Sequence, residues 1–178
     1  MLMDVFVYGT LTEPARVADL LDSYVFVGAA TLVGVHPVAG RYPTLAPGGE
    51  TAGRLLRTDE IATLDEYEGV DTGMYHRIAV PTELSPSDTA GADTAQSTQQ
   101  TTESAQSTAE SAQPTAESAQ STPESTHPYP ETAAVYVGDP ERLDADVEWP
   151  GTGSFAERVN SYLTTSDVWV RVNPKNSV

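Results

Sequence analysis

A tract of short repeats in the middle of the chain limits what the rest can fold into. From Thr94 to Pro128 the sequence reads TAQSTQQ, TTESAQS, TAESAQP, TAESAQS, TPESTHP, a repeat of seven residues. A heptad invites a coiled coil, which needs apolar side chains at two positions of every repeat. Here the recurring apolar side chain is Ala, which buries little. Pro114 and Pro123 would each interrupt a helix at a cost of about 3 kcal/mol. Glu recurs once in each of the last four repeats with no Lys to pair it. The wider stretch 85–130 is Ser, Thr, Ala, Gln, Glu and Pro, and contains neither Lys nor Arg. Such a segment cannot bury enough apolar surface to offset its ordering entropy, so 85–130 reads as a disordered, solvated insert.

The flanks 1–84 and 131–178 then form a single domain of about 130 residues, enough for one core. "YHRIAVPTEL" runs into the insert and "TAAVYVG" leaves it, and both read as strands. The insert becomes an enlarged loop between two strands of a hairpin. That enlargement costs little, because closure entropy grows with the logarithm of loop length.

Asp4–Tyr8 is an apolar run, a buried strand. Thr12–Leu21 reads as a helix with Val17, Leu20 and Leu21 on one face, Thr12 as cap and Pro14 in the first turn. Tyr24–Val35 supplies one or two strands. "RYPTLAPGG" is a loop or short extended piece, and Thr51–Arg57 a strand. Thr58–Glu68 is a short helix with Asp59 and Glu60 in its first turn, as the dipole prefers. Ser154 to Glu157 matches a capping box and opens a helix with Phe155, Val159, Tyr162 and Leu163 on its apolar face. Asp167–Val172 is a last strand. Trp149 and Trp169 read as core or patch residues. Some six strands and three short helices, out of regular alternation, indicate an α+β fold: a mixed or mostly antiparallel sheet that can close into a small barrel.

Charge bears on partners. The chain of 178 residues has 26 acidic and 9 basic side chains, a formal charge of -17. That balance argues against nucleic acid and anionic membranes, which both select basic surfaces. Lys occurs once, at Lys175. An acidic, lysine-poor surface fits a halophilic protein; an ordinary acidic cytosolic protein is the alternative, and stability measured against KCl concentration separates them. With no Cys, thiol catalysis and disulfides are excluded. His36, His76 and His127 lack ligand spacing, so no metal is expected. No run approaches a membrane span, and the N-terminal apolar stretch lacks a basic leader, so the expected location is cytoplasmic.

Two places can carry chemistry. At Tyr8-Gly9-Thr10-Leu11 a strand stops at a glycine just before a helix. Backbone N–H groups there either form a plain tight turn or cradle a carboxylate or oxyanion. The pattern is not a phosphate loop, which needs a Gly-Lys-Ser/Thr ending. The second place is "TLDEYEGV". Ile61, Leu64 and Glu68 fall at i, i+3, i+7, with Glu68 within about 40° of both others on a helix. Glu66 points away and Asp65 lies near the edge. Glu68 is thus aimed with the apolar face, at a helix C-terminus, where burial and dipole both raise its pKa toward that of a general base. The alternative is a frayed last turn with Glu68 in solvent. Tyr42 either lines a pocket or packs on Pro43; Tyr136 either enters the barrel or packs in the core. Arg77 either orders Glu68 or a neighbouring strand, or makes a surface ion pair.

"VFVYGTL", "GRYPTL" and "LDEYEGV" followed by "YHR", in that order, resemble the γ-glutamyl cyclotransferase-like family in its AIG2-like branch. The resemblance covers most of Met3–Val80 and extends to Ala133–Val137. It implies a small barrel-containing α+β fold and cyclisation of a γ-glutamyl group to 5-oxoproline with release of an amine or peptide, without metal or organic cofactor. By similarity Glu68 is catalytic, and Tyr8, Gly9, Thr10 and Leu11 bind the small-molecule γ-glutamyl substrate; Tyr42 and Tyr75 join them as candidate substrate contacts. A γ-glutamyl dipeptide and an ε-(γ-glutamyl)-lysine type of amine remain equally open as substrate. Two other classes stay open as well: a non-catalytic module for a small carboxylate metabolite, marked by Glu68 held in an ion pair with Arg77, and an interaction protein acting through the repeats. The oligomeric state is not legible.

Overall fold

The computed structural model describes residues 1–85 and 129–173. Most of the stretch read as a disordered insert, including the whole repeat, lies outside those residues. The elements in chain order are strand β1 (Met3–Val7), a 3₁₀ turn (Gly9–Thr12), helix α1 (Pro14–Leu20), strands β2 (Tyr24–Val38) and β3 (Thr44–Thr58), and helix α2 (Ile61–Glu68). Strands β4 (Tyr75–Leu84) and β5 (Thr132–Gly138) follow, then helices α3 (Pro140–Leu143) and α4 (Phe155–Thr165) and strand β6 (Trp169–Asn173).

The six strands close into a barrel in the order β1-β3-β2-β6-β4-β5. β1 pairs with β5 and β4 with β6 in parallel; the other pairs are antiparallel. Among the described residues every strand has a neighbour on both sides for part of its length. β4 and β5, on either side of the repeats, pair antiparallel from Tyr75↔Gly138 to Pro81↔Thr132, as the hairpin reading expects.

The period-2 alternation of the strands sorts the core into two layers. Phe6, Leu32, Leu55, Val80, Val135, Val137, Val170 and Val172 come from all six strands and pack together inside the barrel, with Trp149, Val159 and Leu163 against them. Val5, Val7, Leu56, Ala134 and Tyr136 point to the other face of the wall. There they receive Leu11, Val17 of α1 and Leu64 of α2. At Gly53 an added Cβ would lie 2.3 Å from the Val7 carbonyl oxygen and 2.6 Å from Cζ of Phe6, so only glycine lets β3 pass β1 this closely.

Several local expectations are corrected. The first helix starts at Pro14, not Thr12, and its N-cap Glu13 makes no side-chain cap. Thr12 instead donates its hydroxyl to the Gly9 carbonyl at 2.6 Å, closing the 3₁₀ turn. The "TLAPGG" half of the presumed loop is strand: β3 starts at Thr44 because β2 runs on to Val38 and offers it a partner, with bulges at Phe26/Gly28 and Val33/Val35 taking up the register. α2 begins at Ile61 rather than Thr58. The Thr58 hydroxyl stays with the sheet, donating to the Ser23 carbonyl at 2.7 Å and accepting from the Glu60 N–H at 3.0 Å. Glu60 therefore becomes the N-cap and not a first-turn residue. α3 was not expected; Asp139 caps it by accepting from the Glu141 N–H at 3.0 Å. The capping box of α4 is present in both directions, between Ser154 and Glu157.

Candidate active site

Where β1 ends, Tyr8 is still extended and Gly9 turns with φ 63°. A Cβ at Gly9 would meet nothing closer than 3.7 Å, so the left-handed backbone, not crowding, favours glycine. Leu11 is buried against Val5, Val7 and Leu64, which pins the turn to the outer core layer. Tyr8 stacks on Phe6 at 6.3 Å between ring centres and donates its hydroxyl to the Tyr136 carbonyl at 3.0 Å.

Facing this turn is the last turn of α2. Gly69, at φ 68°, ends the helix: its N–H reaches the Glu66 carbonyl at 3.1 Å, and the Val70 N–H reaches the Asp65 carbonyl at 2.9 Å. This is the Schellman closure that a left-handed glycine permits. It holds the last turn and excludes the frayed alternative for Glu68.

The two turns meet at a cavity of ≈ 370 Å³. Tyr8, Thr10, Leu11, Tyr42, Glu68 and Tyr75 line it, so six of the seven candidate residues converge. Gly9 is not among the lining residues; it supplies the bend that presents its neighbours. Tyr67 and Tyr136 complete an aromatic wall, with Phe6, Pro43 and Met74. Tyr42 is 52% and Tyr67 45% exposed, which puts both at the mouth. Tyr75 is 7% and Tyr136 2% exposed, which puts both deep. Tyr42 was read as pocket-lining or packed on Pro43, and both residues line the space.

Glu68 is the single charged residue in that lining. It is half-buried, and burial pushes its carboxyl from the model-peptide value of 4.5 up to about 7. The expectation named burial and the helix dipole; burial carries the shift. The surrounding phenols respond in the same direction. Burial raises Tyr8, with Tyr75 and then Glu68 adding to it. Burial also raises Tyr75, with Glu68, Tyr67 and Tyr42 adding. Both therefore remain protonated donors around neutral pH. The Tyr75 hydroxyl donates to the Pro43 carbonyl at 2.6 Å, which ties β4 to the loop bearing Tyr42.

Arg77 does not pair with Glu68. Its Nη1 lies 2.6 Å from Oδ2 of Asp65, and Oδ1 of Asp65 accepts the Tyr136 hydroxyl at 2.8 Å. Tyr136, read as entering the barrel or packing in the core, packs in the outer core layer rather than inside the barrel and also lines the cavity, and Tyr67 went unremarked in the sequence. For Tyr136 the clue was a parity: it stands between Val135 and Val137, so it faces opposite to them. For Tyr67 no pattern pointed to the mouth, because its position depends on how α2 docks.

A family model described as "Gamma-glutamyl cyclotransferase, AIG2-like" matches residues 5–112. An AIG2-like protein C from Arabidopsis thaliana is 39% identical over 90 residues, 46% of this chain and 51% of that protein. The chain thus spans about half the length of the curated relative it matches. Among solved structures, a chain described as a gamma-glutamyl cyclotransferase is 24% identical, with 46% of this chain and 57% of that one covered, at a TM-score of 0.42. The solution structure of an Arabidopsis thaliana protein covers 93% of this chain and 85% of its own, at 22% identity and a TM-score of 0.45. With more than half of its length matched by the family model, the chain belongs to the γ-glutamyl cyclotransferase, AIG2-like family.

Proposed function

We propose that this protein converts a γ-glutamyl amine or γ-glutamyl peptide to 5-oxoproline and the free amine, with Glu68 as the proton carrier. The observation that carries the reading is the convergence of the Glu68 carboxyl and the turn after β1 on one cavity large enough for a small metabolite.

The α-amine of the γ-glutamyl unit attacks its own γ-carbonyl. Both reactants sit in one molecule and close a five-membered ring, so proximity comes with the substrate. One N–H proton of the attacking amine passes to the Glu68 carboxylate as the new C–N bond forms. The same proton then goes to the departing nitrogen as the old C–N bond breaks. No covalent bond to the protein is needed. A carboxyl with a pKa of about 7 suits both halves of this exchange near neutral pH, because it takes and returns a proton at small cost. The backbone N–H groups around Thr10 and Leu11 are the candidates to hold the substrate carboxylate or the tetrahedral oxyanion. The Tyr8 and Tyr75 hydroxyls spend their protons on backbone carbonyls, which leaves their oxygen lone pairs as acceptors for the N–H groups of the substrate α-amine.

The rival reading, a non-catalytic carboxylate-binding module, was tied to a Glu68–Arg77 ion pair; Arg77 is paired with Asp65 instead. The test is mass spectrometry for 5-oxoproline after incubation with a panel of γ-glutamyl dipeptides and γ-glutamyl amines in high salt. Wild-type protein should release it. Glu68→Gln, which keeps the shape and removes the base, should lose at least about 100-fold of the rate, the usual weight of a general acid–base group. Undiminished turnover in that variant would remove Glu68 from the mechanism.

A further inference from the structure

Three side chains beside the cavity carry none of the chemistry above. Asp65 lies one helical turn before Glu68, and residues three apart on a helix are neighbours with Cβ atoms about 5–6 Å apart. Its two carboxylate oxygens are divided between two strands. Oδ2 takes Nη1 of Arg77 on β4 at 2.6 Å, and Oδ1 takes the hydroxyl of Tyr136 on β5 at 2.8 Å. Arg77 and Tyr136 stand directly opposite each other in the β4–β5 register, so both side chains leave the same face of the wall. The Tyr136 ring lines the cavity, and its carbonyl receives the Tyr8 hydroxyl at 3.0 Å. One continuous set of polar contacts thus links the helix bearing Glu68 to β4, to β5 and to the turn after β1.

We propose that Asp65 and Arg77 are a charge-balanced positioning pair for Glu68 and Tyr136. Arg77 anchors the α2 turn to the sheet and keeps its own guanidinium off Glu68. Asp65 orients the Tyr136 ring along the cavity wall. The proposal rests on Glu68 being the proton carrier. The titratable groups that share the cavity with Glu68 are phenols: Tyr8 after β1, Tyr42 before β3, Tyr67 on its own helix, Tyr75 on β4 and Tyr136 on β5. Asp65 and Arg77 are the charged pair one turn away. With both present, their charges cancel at Glu68. Losing either one leaves the other uncompensated, and the sign of the leftover charge differs between the two cases.

That sign gives a test that simple loosening of the helix cannot imitate. The Glu68 side-chain carboxyl is followed by ¹³C NMR against pH in the full chain, its signal identified by its absence in Glu68→Gln. Asp65→Asn leaves a cation, and the Glu68 midpoint should fall by about one pH unit; Arg77→Gln leaves an anion, and it should rise by about as much. The double variant should return to within about 0.3 of the wild-type midpoint, because no net charge remains. Unmoved midpoints in the single variants, or shifts of the same sign in both, would overturn the proposal. If a single variant does not fold, Asp65→Glu and Arg77→Lys decide, since both keep their charges. Wild-type midpoints are expected there, and a displacement of about one pH unit in either would refute charge balance as the cause. Because this readout needs no turnover, a protein that releases no 5-oxoproline yet shows the opposed shifts retires the reaction and keeps the pair. Turnover with unmoved midpoints does the reverse.

Discussion

Glu68→Gln should make this protein more stable above neutral pH, by an amount the structure bounds. An unfolded glutamate loses its proton near 4.5, whereas native Glu68 keeps one up to about 7. Between those values the native state binds more protons than the unfolded state, so stability falls as pH rises through that window. Each pH unit of separation is worth about 1.4 kcal/mol, which sets a ceiling of about 3 kcal/mol on the penalty of an ionised Glu68 above pH 7. Solvent reaching the half-buried carboxylate through the cavity mouth lowers the realised value below that ceiling. Glutamine never ionises and keeps the shape, so the variant escapes the penalty. The assay is urea unfolding of both proteins at pH 4.5, 6, 7 and 8.5. The two should agree near the lowest pH, and the variant should gain steadily through about pH 7, its urea midpoint ending roughly 1 M higher for a slope near 2 kcal/mol/M. All other titrating groups are common to both proteins and cancel in the difference. A difference that does not change with pH, or a variant that loses stability as pH rises, would refute the claim that burial holds this carboxyl up. A site that destabilises its own fold is the usual sign of a group kept for chemistry.

Two further substitutions probe the frame around that carboxyl. Gly69→Ala forces a side chain onto φ 68° and sets its Cβ 2.9 Å from Oγ1 of Thr72, so it should cost about 1–2 kcal/mol in urea unfolding; a neutral result would mean that the helix end is not held as described. Tyr75→Phe removes the donor to the Pro43 carbonyl and should destabilise by about 1 kcal/mol. It should also raise the KM for a γ-glutamyl substrate, because the loop bearing Tyr42 loses its tie to β4; an unchanged KM would place Tyr75 outside substrate binding.

The fold was readable where a pattern is local. The stretches "YHRIAVPTEL" and "TAAVYVG" matched β4 and β5 to the residue, and the Ser154–Glu157 box located the start of α4, because each signal lies within one element. It failed where a neighbour supplied the reason. "TLAPGG" carries Pro and two Gly and reads as a loop or short extended piece, yet it opens a fifteen-residue strand because β2 extends alongside it. Thr12 looks like a helix cap, yet its hydroxyl closes the 3₁₀ turn before the helix begins. At the site, helical spacing put Glu68 on the apolar face but left a frayed last turn open, which the closure at Gly69 excludes. The partner of Arg77 did not follow from spacing, since which of two carboxylates one turn apart it meets depends on how α2 is rotated against β4.

By itself, the order of residues indicated most of the strands and helices and which acid rides on an apolar helical face. Those are properties of neighbours along the chain, fixed by backbone geometry and solvation. Folding in three dimensions decided that the wall closes through parallel contacts of β1 with β5 and β4 with β6. It also decided that five tyrosines from separate segments gather around one carboxyl, and that burial there raises its proton affinity. Desolvation is set by whatever packs around a group, and of the surroundings of Glu68, Tyr8, Tyr42 and Tyr136 arrive from segments far away in sequence.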